Sequence, residues 1–255
     1  MLKIIKYFLL DILNNKVVLG LSLFFFIVSM SLLYLDENQN KAILSLMNII
    51  FIVVPLISMF FSANYYWNSY EFKEILLCLP LKREKIILSE FIAVSLSISL
   101  SILVGLGVPC LIFGAETNIY YLILLAVILN ISCVALSMWM VILTKDKSRG
   151  LGLVLLMWFY LTMLFDVLLI SIMMNFSDYP LEKIVLVLAS LNPIDLCRIS
   201  MMLQLDISAL MGYTGALYKE YFSGSGGSIL SLSILMLWII IPVYLFVKKF
   251  GQKDI

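Results

Sequence analysis

Asp166 is an ionisable side chain inside a long apolar run, Gly150–Met174. A carboxylate surrounded by lipid has to be protonated, paired or hydrated. The other apolar runs carry no lysine or arginine at comparable depth. We therefore expect its partner to be a hydroxyl, an amide, a backbone group, water or the same residue in a second copy. A hydrogen bond between helices is the favoured interpretation, and a switch or substrate-path residue is the alternative.

The side chains and motifs that usually carry catalysis are missing from the sequence. The chain has no histidine. It has no GxxxxGK[ST] phosphate loop and no GxSxG nucleophile motif. Its four cysteines are too scattered for a disulfide framework or a CxxC metal pair, and they are Cys78, Cys110, Cys133 and Cys197. We therefore predict no catalytic residue, no metal site and no cofactor of its own, and consider an enzyme the weaker hypothesis.

Apolar side chains recur at helical spacing in the segment 64–90, which is otherwise of mixed charge. Ile75, Leu76 and Leu79 belong to this stripe, and Pro80 follows it. The spacing predicts a helix that ends near Leu79, a turn at Pro80 and a second helix that enters the next apolar run. A surface helix of this kind suits the docking of a soluble partner, whereas an ordinary solvated loop is the alternative.

Six apolar runs must position these side chains. The composition is 63% hydrophobic and 13% charged, against roughly 25% charged in soluble domains. Each run is long enough to cross a bilayer as a helix and apolar on all sides, which argues against membrane strands. The predicted spans are Val17–Leu35, Ala42–Ala63, Phe91–Phe113, Ile119–Leu143, Gly150–Met174 and Ile229–Val247. We predict an all-α polytopic membrane protein whose residues 1–255 form a single transmembrane domain.

Residues 1–16 precede the first span and show no signal-peptide pattern. Their apolar residues share one helical face, which predicts an amphipathic helix along the membrane surface. Placing both termini inside puts 13 of the 17 lysine and arginine residues on the inner side. By the positive-inside rule, the termini and the segment 64–90 are therefore predicted to be cytoplasmic.

The outer segment 175–228 is too long for a structureless loop in a compact protein. Asn192 followed by Pro193 predicts a helix N-terminus, and Asp206 is a second candidate cap. The glycine-rich stretch 224–227 is predicted to be a flexible break before the last span. We expect the segment to pack on the helix ends, and a partner surface formed by Asn192, Asp195, Arg198 and Asp206 is the second possibility.

Small residues follow one another at four-residue spacing along the third span. They are Ala93, Ser97, Ser101 and Gly105. A stripe of this type lets a neighbouring helix approach closely, so we predict a packing face there and not a conduit.

The order of these elements resembles that of ABC-2-type permeases. In the segment 71–90, Glu74–Leu77, Pro80, Arg83 and Ile86–Leu88 match the family's inner connection. Two pairs depart from it, Glu71-Phe72 and Ser89-Glu90. The resemblance implies a coupling helix that receives the stroke of a separate ATPase. Its coupling residues would be Glu71, Glu74, Ile75, Leu76, Leu79, Pro80 and Arg83.

The outer stretches 191–198 and 206–216 are similar to those of permeases that serve nitrous oxide reductase maturation. That likeness implies a homodimer in the bacterial inner membrane with two ATPase subunits that bind ATP and Mg²⁺. It also implies a periplasmic β-helical partner, a role in copper-site assembly and no nucleic-acid partner. The alternatives are a generic ABC-2 exporter of lipid, peptide or drug, a structural membrane anchor for a periplasmic complex, and an intramembrane enzyme that uses Asp166.

Overall fold

The computed structural model describes residues 2–35, 39–114, 117–175, 187–205 and 225–252. Within these ranges the chain is helical and contains no strand. A π-helix, Tyr160–Leu164, separates α7 from α8. The α-helices are α1 Leu2–Leu13, α2 Lys16–Leu35, α3 Gln39–Asn68, α4 Tyr70–Leu77, α5 Arg83–Phe113, α6 Thr117–Ile142, α7 Lys147–Phe159, α8 Phe165–Asn175, α9 Pro193–Gln204 and α10 Ser225–Gly251.

Six helices of the described chain are long and apolar enough to cross a membrane, which confirms the predicted architecture. The spans are Lys16–Leu35, Asn40–Asn68, Arg83–Phe113, Thr117–Ile142, Lys147–Ile172 and Leu230–Gly251. The fifth span comprises α7, the π-helix and most of α8. Prolines at positions 55, 109 and 242 lie inside spanning helices, where neighbouring helices can compensate for the lost backbone donor.

The third and fourth spans form the centre of the bundle. Of the 18 most apolar consecutive residues of α6, 67% are buried within the protein, against 17% in the fifth span. Asn130 of α6 is fully buried and joins three helices. Its amide accepts a hydrogen bond from Ser58 Oγ (2.7 Å) and donates to Ser95 O (3.0 Å) and Ser99 Oγ (2.9 Å). Polar contacts of this kind fix the packing of helices that hydrophobicity alone cannot align in lipid.

The bundle has two ends, which we call the α4 end and the α9 end after the short helix that lies at each. At the α4 end, α1 packs along α5, and Tyr65 OH of α3 donates to Asp11 Oδ2 of α1 at 2.9 Å. At the α9 end, Trp238 Nε1 of α10 donates to Ser190 O at 3.1 Å. The Phe246 ring near the end of α10 lies 5.5 Å from the Phe91 ring, next to Glu90, so the described parts of both termini lie at the α4 end.

The helices that form the spans extend beyond most of the predicted bounds, and two predicted features of the connections also differ from the structure. The helix predicted to end near Leu79 ends at Leu77, two residues earlier, and α5 begins at Arg83 beyond the Pro80 turn. The predicted break at 224–227 is wrong for Ser225–Gly227, because these residues form the first turn of α10. Gly224 and the second outer helix predicted from Asp206 lie outside the described residues.

Candidate functional site

Helix α4 carries exposed apolar side chains beside exposed acids. Ile75 is 65% exposed and Leu79, in the turn after the helix, is 51% exposed. Glu71 and Glu74 are exposed as well. We call these four residues the α4 surface. Large apolar side chains beside charged ones at the tip of a bundle are typical of a surface that meets another protein.

A buried ion pair fixes α4 to the beginning of the third span. Lys73 Nζ lies 3.0 Å from Glu90 Oε2 and 3.1 Å from Glu90 Oε1, and both side chains are almost completely buried. Ser69 Oγ donates to Glu90 Oε1 at 2.7 Å, and Lys73 Nζ donates to Tyr66 O at 2.7 Å. The ammonium also lies 3.4 Å from the centroid of the Tyr66 ring. With this many partners both buried charges have their hydrogen bonds satisfied. The Lys73–Glu90 pair, which we call the Lys73–Glu90 joint, therefore fixes the position of α4 relative to α5.

The remaining predicted coupling residues occupy different environments. Leu76 is buried, so its side chain packs in the core and is not available to a docked protein. Its predicted role in coupling stays a prediction, and it would act through packing and not through direct contact. Leu76 is buried because it lies three residues after Lys73, on the same face of α4. That face packs against α5. Pro80 lies in the exposed turn, and Arg83 is the first residue of α5.

At the α9 end, Asn192 joins the outer helix to the fifth span. Its side-chain oxygen accepts from Ile194 N at 3.0 Å, which confirms the predicted N-cap. Its amide nitrogen donates to Leu161 O and to Asp195 Oδ2, both at 2.7 Å. Leu161 belongs to the π-helix, in which Phe165 N–H donates back to Tyr160 O, five residues earlier. A π-turn disturbs the regular ladder and so presents carbonyl groups to outside donors.

Asp166 pairs with a cation, contrary to the sequence prediction. Arg198 Nη1 lies 2.9 Å from Asp166 Oδ2 and 3.3 Å from Asp195 Oδ1. The arginine comes from the outer helix α9, and not from another span, which is why a search of the spans could not find it. Asp166, Asp195 and Arg198 form what we call the outer cluster. It links the fifth span to the outer helix.

The proposed partner surface is correspondingly smaller than the sequence predicted. Asn192 and Asp195 are buried, because they hold α9 against the fifth span, which agrees with packing on the helix ends and leaves these two side chains little surface for a partner. Arg198 is about one-quarter exposed, and Asp206 lies outside the described residues. Burial raises the pKa of the Asp195 carboxyl to about 7, and the nearby Asp166 carboxylate adds to the increase, while Arg198 opposes it.

The stripe of small residues on α5 lies against α2. Ser101 Oγ donates to Val18 O at 3.1 Å, and Ser29 Oγ of α2 donates to Gly105 O at 3.0 Å. A Cβ added at Gly105 would lie 2.8 Å from Ser22 O and 2.7 Å from the Cβ of Phe25. Ala93 and Ser97 are fully buried. The stripe thus brings two helix backbones together.

Sequence reasoning did not find the Lys73–Glu90 pair. The two residues are 17 positions apart, and no helical periodicity connects them across the Pro80 turn. The one available signal was the charged residue Glu90 at the edge of an apolar run, where it departs from the family's pattern.

These observations define a class: a multi-pass helical membrane protein with an anchored surface helix at one end. The chain belongs to the ABC-2 family transporter proteins, whose family model matches residues 26–255. It is therefore a membrane permease subunit of an ABC transporter, and such a subunit works with ATPase subunits.

Two curated relatives carry the same name, "Probable ABC transporter permease protein NosY". The one from Pseudomonas aeruginosa is 26% identical over 225 residues, which cover 80% of this chain and 82% of that protein. The one from Stutzerimonas stutzeri is 24% identical over 243 residues, which cover 87% and 83%.

Proposed function

We propose that this permease receives the stroke of two separate ATPase subunits at the α4 surface and passes it through the Lys73–Glu90 joint into the third span. The observation that carries the proposal is the combination of exposed Ile75 and Leu79 with a buried ionic anchor on the same short helix. A helix that only packed on the bundle would not need to expose these side chains, and one that only docked a partner would not need the anchor. ATP and Mg²⁺ would be bound by the ATPase subunits.

The proposal divides the domain into three working regions and places it in the bacterial inner membrane as a homodimer. Residues 1–16 form the amphipathic entry helix, 64–90 the cytoplasmic coupling region and 175–228 the periplasmic segment. Both termini are cytoplasmic, an orientation supported by the distribution of lysine and arginine.

The task proposed for the transporter is copper-site maturation of nitrous oxide reductase, by transport or by conformational signalling to a periplasmic β-helical protein. It is supported by the shared NosY name of the two relatives and by the likeness of the outer stretches. Because Asn192 and Asp195 are buried, the periplasmic contact is proposed to use other parts of the segment 175–228.

Replacing Ile75 or Leu79 with aspartate tests the coupling proposal. Each change puts a charge into an apolar contact without disturbing the core, so we expect the ATPase to be lost when the permease is purified in detergent. Leu143→Asp is the matched control, because Leu143 is 49% exposed on the other connection at the α4 end. Undiminished ATPase association in both α4 variants would overturn the proposal.

Two further observations separate this function from the alternatives. A neighbouring gene for a periplasmic β-helix protein distinguishes maturation from generic export of lipid, peptide or drug. An ATPase-dead partner subunit should abolish function in a coupled transporter, whereas a structural anchor would keep working.

A further inference from the structure

A cavity of about 360 Å³ opens where α1, the end of α3 and α4 meet. Its wall is aromatic, with Tyr7 and Phe8 from α1, Tyr65 from α3 and Phe72 from α4. Among the described residues that line it, Asp11 of α1 is the one with a charged side chain. The volume is at the small end of the range for ligand sites, so it suits a small polar group and not a drug-sized molecule.

The rings of Phe8, Tyr65 and Phe72 are nearly perpendicular to one another where they meet at Phe8, and we call them the aromatic corner. The Phe8 ring stands at 75° to Tyr65, with centroids 6.3 Å apart, and at 89° to Phe72, with centroids 5.5 Å apart. In such pairs the edge of one ring meets the face of the next, so the three rings pack together as one aromatic wall of the cavity. Aromatic walls of this kind attract organic cations through the negative faces of the rings.

The charges around the cavity favour an ammonium group beside Asp11. Tyr65 OH donates to Asp11 Oδ2 at 2.9 Å, which fixes the carboxylate beside the rings. An ionised carboxylate can accept several hydrogen bonds, so one phenol does not saturate it. Lys147 is not a lining residue, but its Nζ donates to Oδ1 of the lining residue Asn68 at 2.7 Å. A carboxylate among the lining residues and an ammonium bound to another lining residue match the two charges of a zwitterion.

The location indicates where such a zwitterion comes from. The cavity lies at the end of α3 and shortly before the beginning of α2, where the boundary between bilayer and water is expected from the predicted spans. The apolar side chains Leu2, Tyr7 and Leu10 of α1 are exposed, as expected for a helix that lies in the head-group region. We propose that this cavity binds the primary ammonium of a zwitterionic phospholipid head group, with Asp11 and the aromatic corner as its ligands and the phosphate near Lys147.

Occupancy would tie α1 to α4 through Phe8 and Phe72, so the lipid would stiffen the helix that carries the α4 surface. The site depends on the span arrangement and on these side chains, and not on an ATPase. Lipid binding and ATPase docking can therefore fail independently.

Native mass spectrometry of the purified full chain in detergent tests the site. The chain is titrated with dioleoyl phosphatidylethanolamine and with its N-acetylated form, which has the same chains and phosphate but no ammonium. We expect the first lipid to bind about tenfold more tightly to the wild type, and Asp11→Asn to remove that preference. The asparagine oxygen can still accept from Tyr65, so the fold should survive. Phe72→Leu, which removes one ring of the corner, should weaken the preference as well.

Glu84→Gln is the matched control, because Glu84 is an exposed carboxylate at the same end but outside the cavity, and it should keep the preference. Equal binding of the two lipids to the wild type, or an unchanged preference in Asp11→Asn, would overturn the proposal. Free ethanolamine forms the second arm. If it binds with the same dependence on Asp11 while the phospholipid does not, the lipid assignment is wrong and the source is a soluble amine.

Discussion

At Gly105 the backbone of α5 lies so near α2 that no side chain larger than a hydrogen atom fits without a shift. We expect Gly105→Ala to lower the free energy of unfolding by about 1–3 kcal/mol, because the added methyl group would overlap the Ser22 carbonyl oxygen, which is backbone and cannot swing away. Thermal unfolding of the purified protein in detergent measures the effect.

Gly107 provides the control two residues further along α5. An added Cβ meets nothing within 4 Å there, so Gly107→Ala should be neutral or stabilise the helix by about 0.5–1 kcal/mol. Equal effects of the two substitutions would show that helix propensity, and not the close approach of two backbones, governs this region.

The outer cluster should make stability depend on pH through Asp195. Its pKa rises from the ordinary value of 3.8 to about 7 on folding, so between these values the folded state holds a proton that the unfolded state has lost. The free energy of unfolding should therefore fall as the pH rises from about 4 to about 7, by at most about 1.4 kcal/mol per pH unit. Asp195→Asn does not titrate, and its unfolding midpoint should change less over this window.

Asp146→Asn is the comparison variant, because Asp146 is an exposed carboxylate that also pairs with an arginine, Arg149 at 3.3 Å. It should keep the wild-type pH dependence. Parallel midpoint curves for the wild type and Asp195→Asn would contradict the role of the outer cluster.

Single residues show where sequence reasoning succeeds and where it stops. The Asn192 cap was predictable, because its partner is two residues away in the chain. The partner of Asp166 was not, because Arg198 reaches it from 32 positions away on an outer helix whose packing no local pattern reveals. Hydrogen bonds between neighbouring residues can be predicted from their spacing in the sequence, whereas contacts between helices depend on the assembled fold.

At the scale of elements, the joint between α4 and α5 should behave as one unit. Lys73→Met leaves the Glu90 carboxylate buried without its cation, and Glu90→Gln leaves the ammonium without its anion. We expect each to cost about 3–5 kcal/mol and the double variant to cost clearly less than the two together, because it removes both charges. Thermal unfolding of all four proteins measures this coupling energy.

The Asp146–Arg149 pair supplies a matched second cycle. Both of its side chains are more than half exposed, so its coupling energy should be below about 1 kcal/mol. Strict additivity at Lys73 and Glu90 would show that the two helices are not held together by the ion pair.

The existence of the elements was more predictable than their orientation. Six apolar runs and the Pro80 turn predicted the spanning helices and α4, because the length of an apolar run and a helix-breaking proline are features of the local sequence. The buried face of α4 was not predictable, because Lys73 on that face pairs with Glu90, which lies beyond that turn.

The orientation of the whole molecule can be tested with its own cysteines. Cys78 is exposed at the α4 end, while Cys110, Cys133 and Cys197 are buried. Burial also raises the pKa of the Cys197 thiol, which disfavours the reactive thiolate. A membrane-impermeant maleimide should therefore label inverted vesicles and not intact spheroplasts, and Cys78→Ser should abolish the labelling. Labelling of intact spheroplasts at Cys78 would reverse the proposed topology.

The π-helix in the fifth span has a consequence for swapping this helix between related permeases. A π-turn accommodates one residue more than an α-turn, and one residue corresponds to about 100° of rotation around a helix axis. Excising Thr162 would allow the span to become regular, and Asp166 would then point away from the arginine that holds it. A chimera that imports a fifth span without the extra residue would thus need a redesigned outer helix to match.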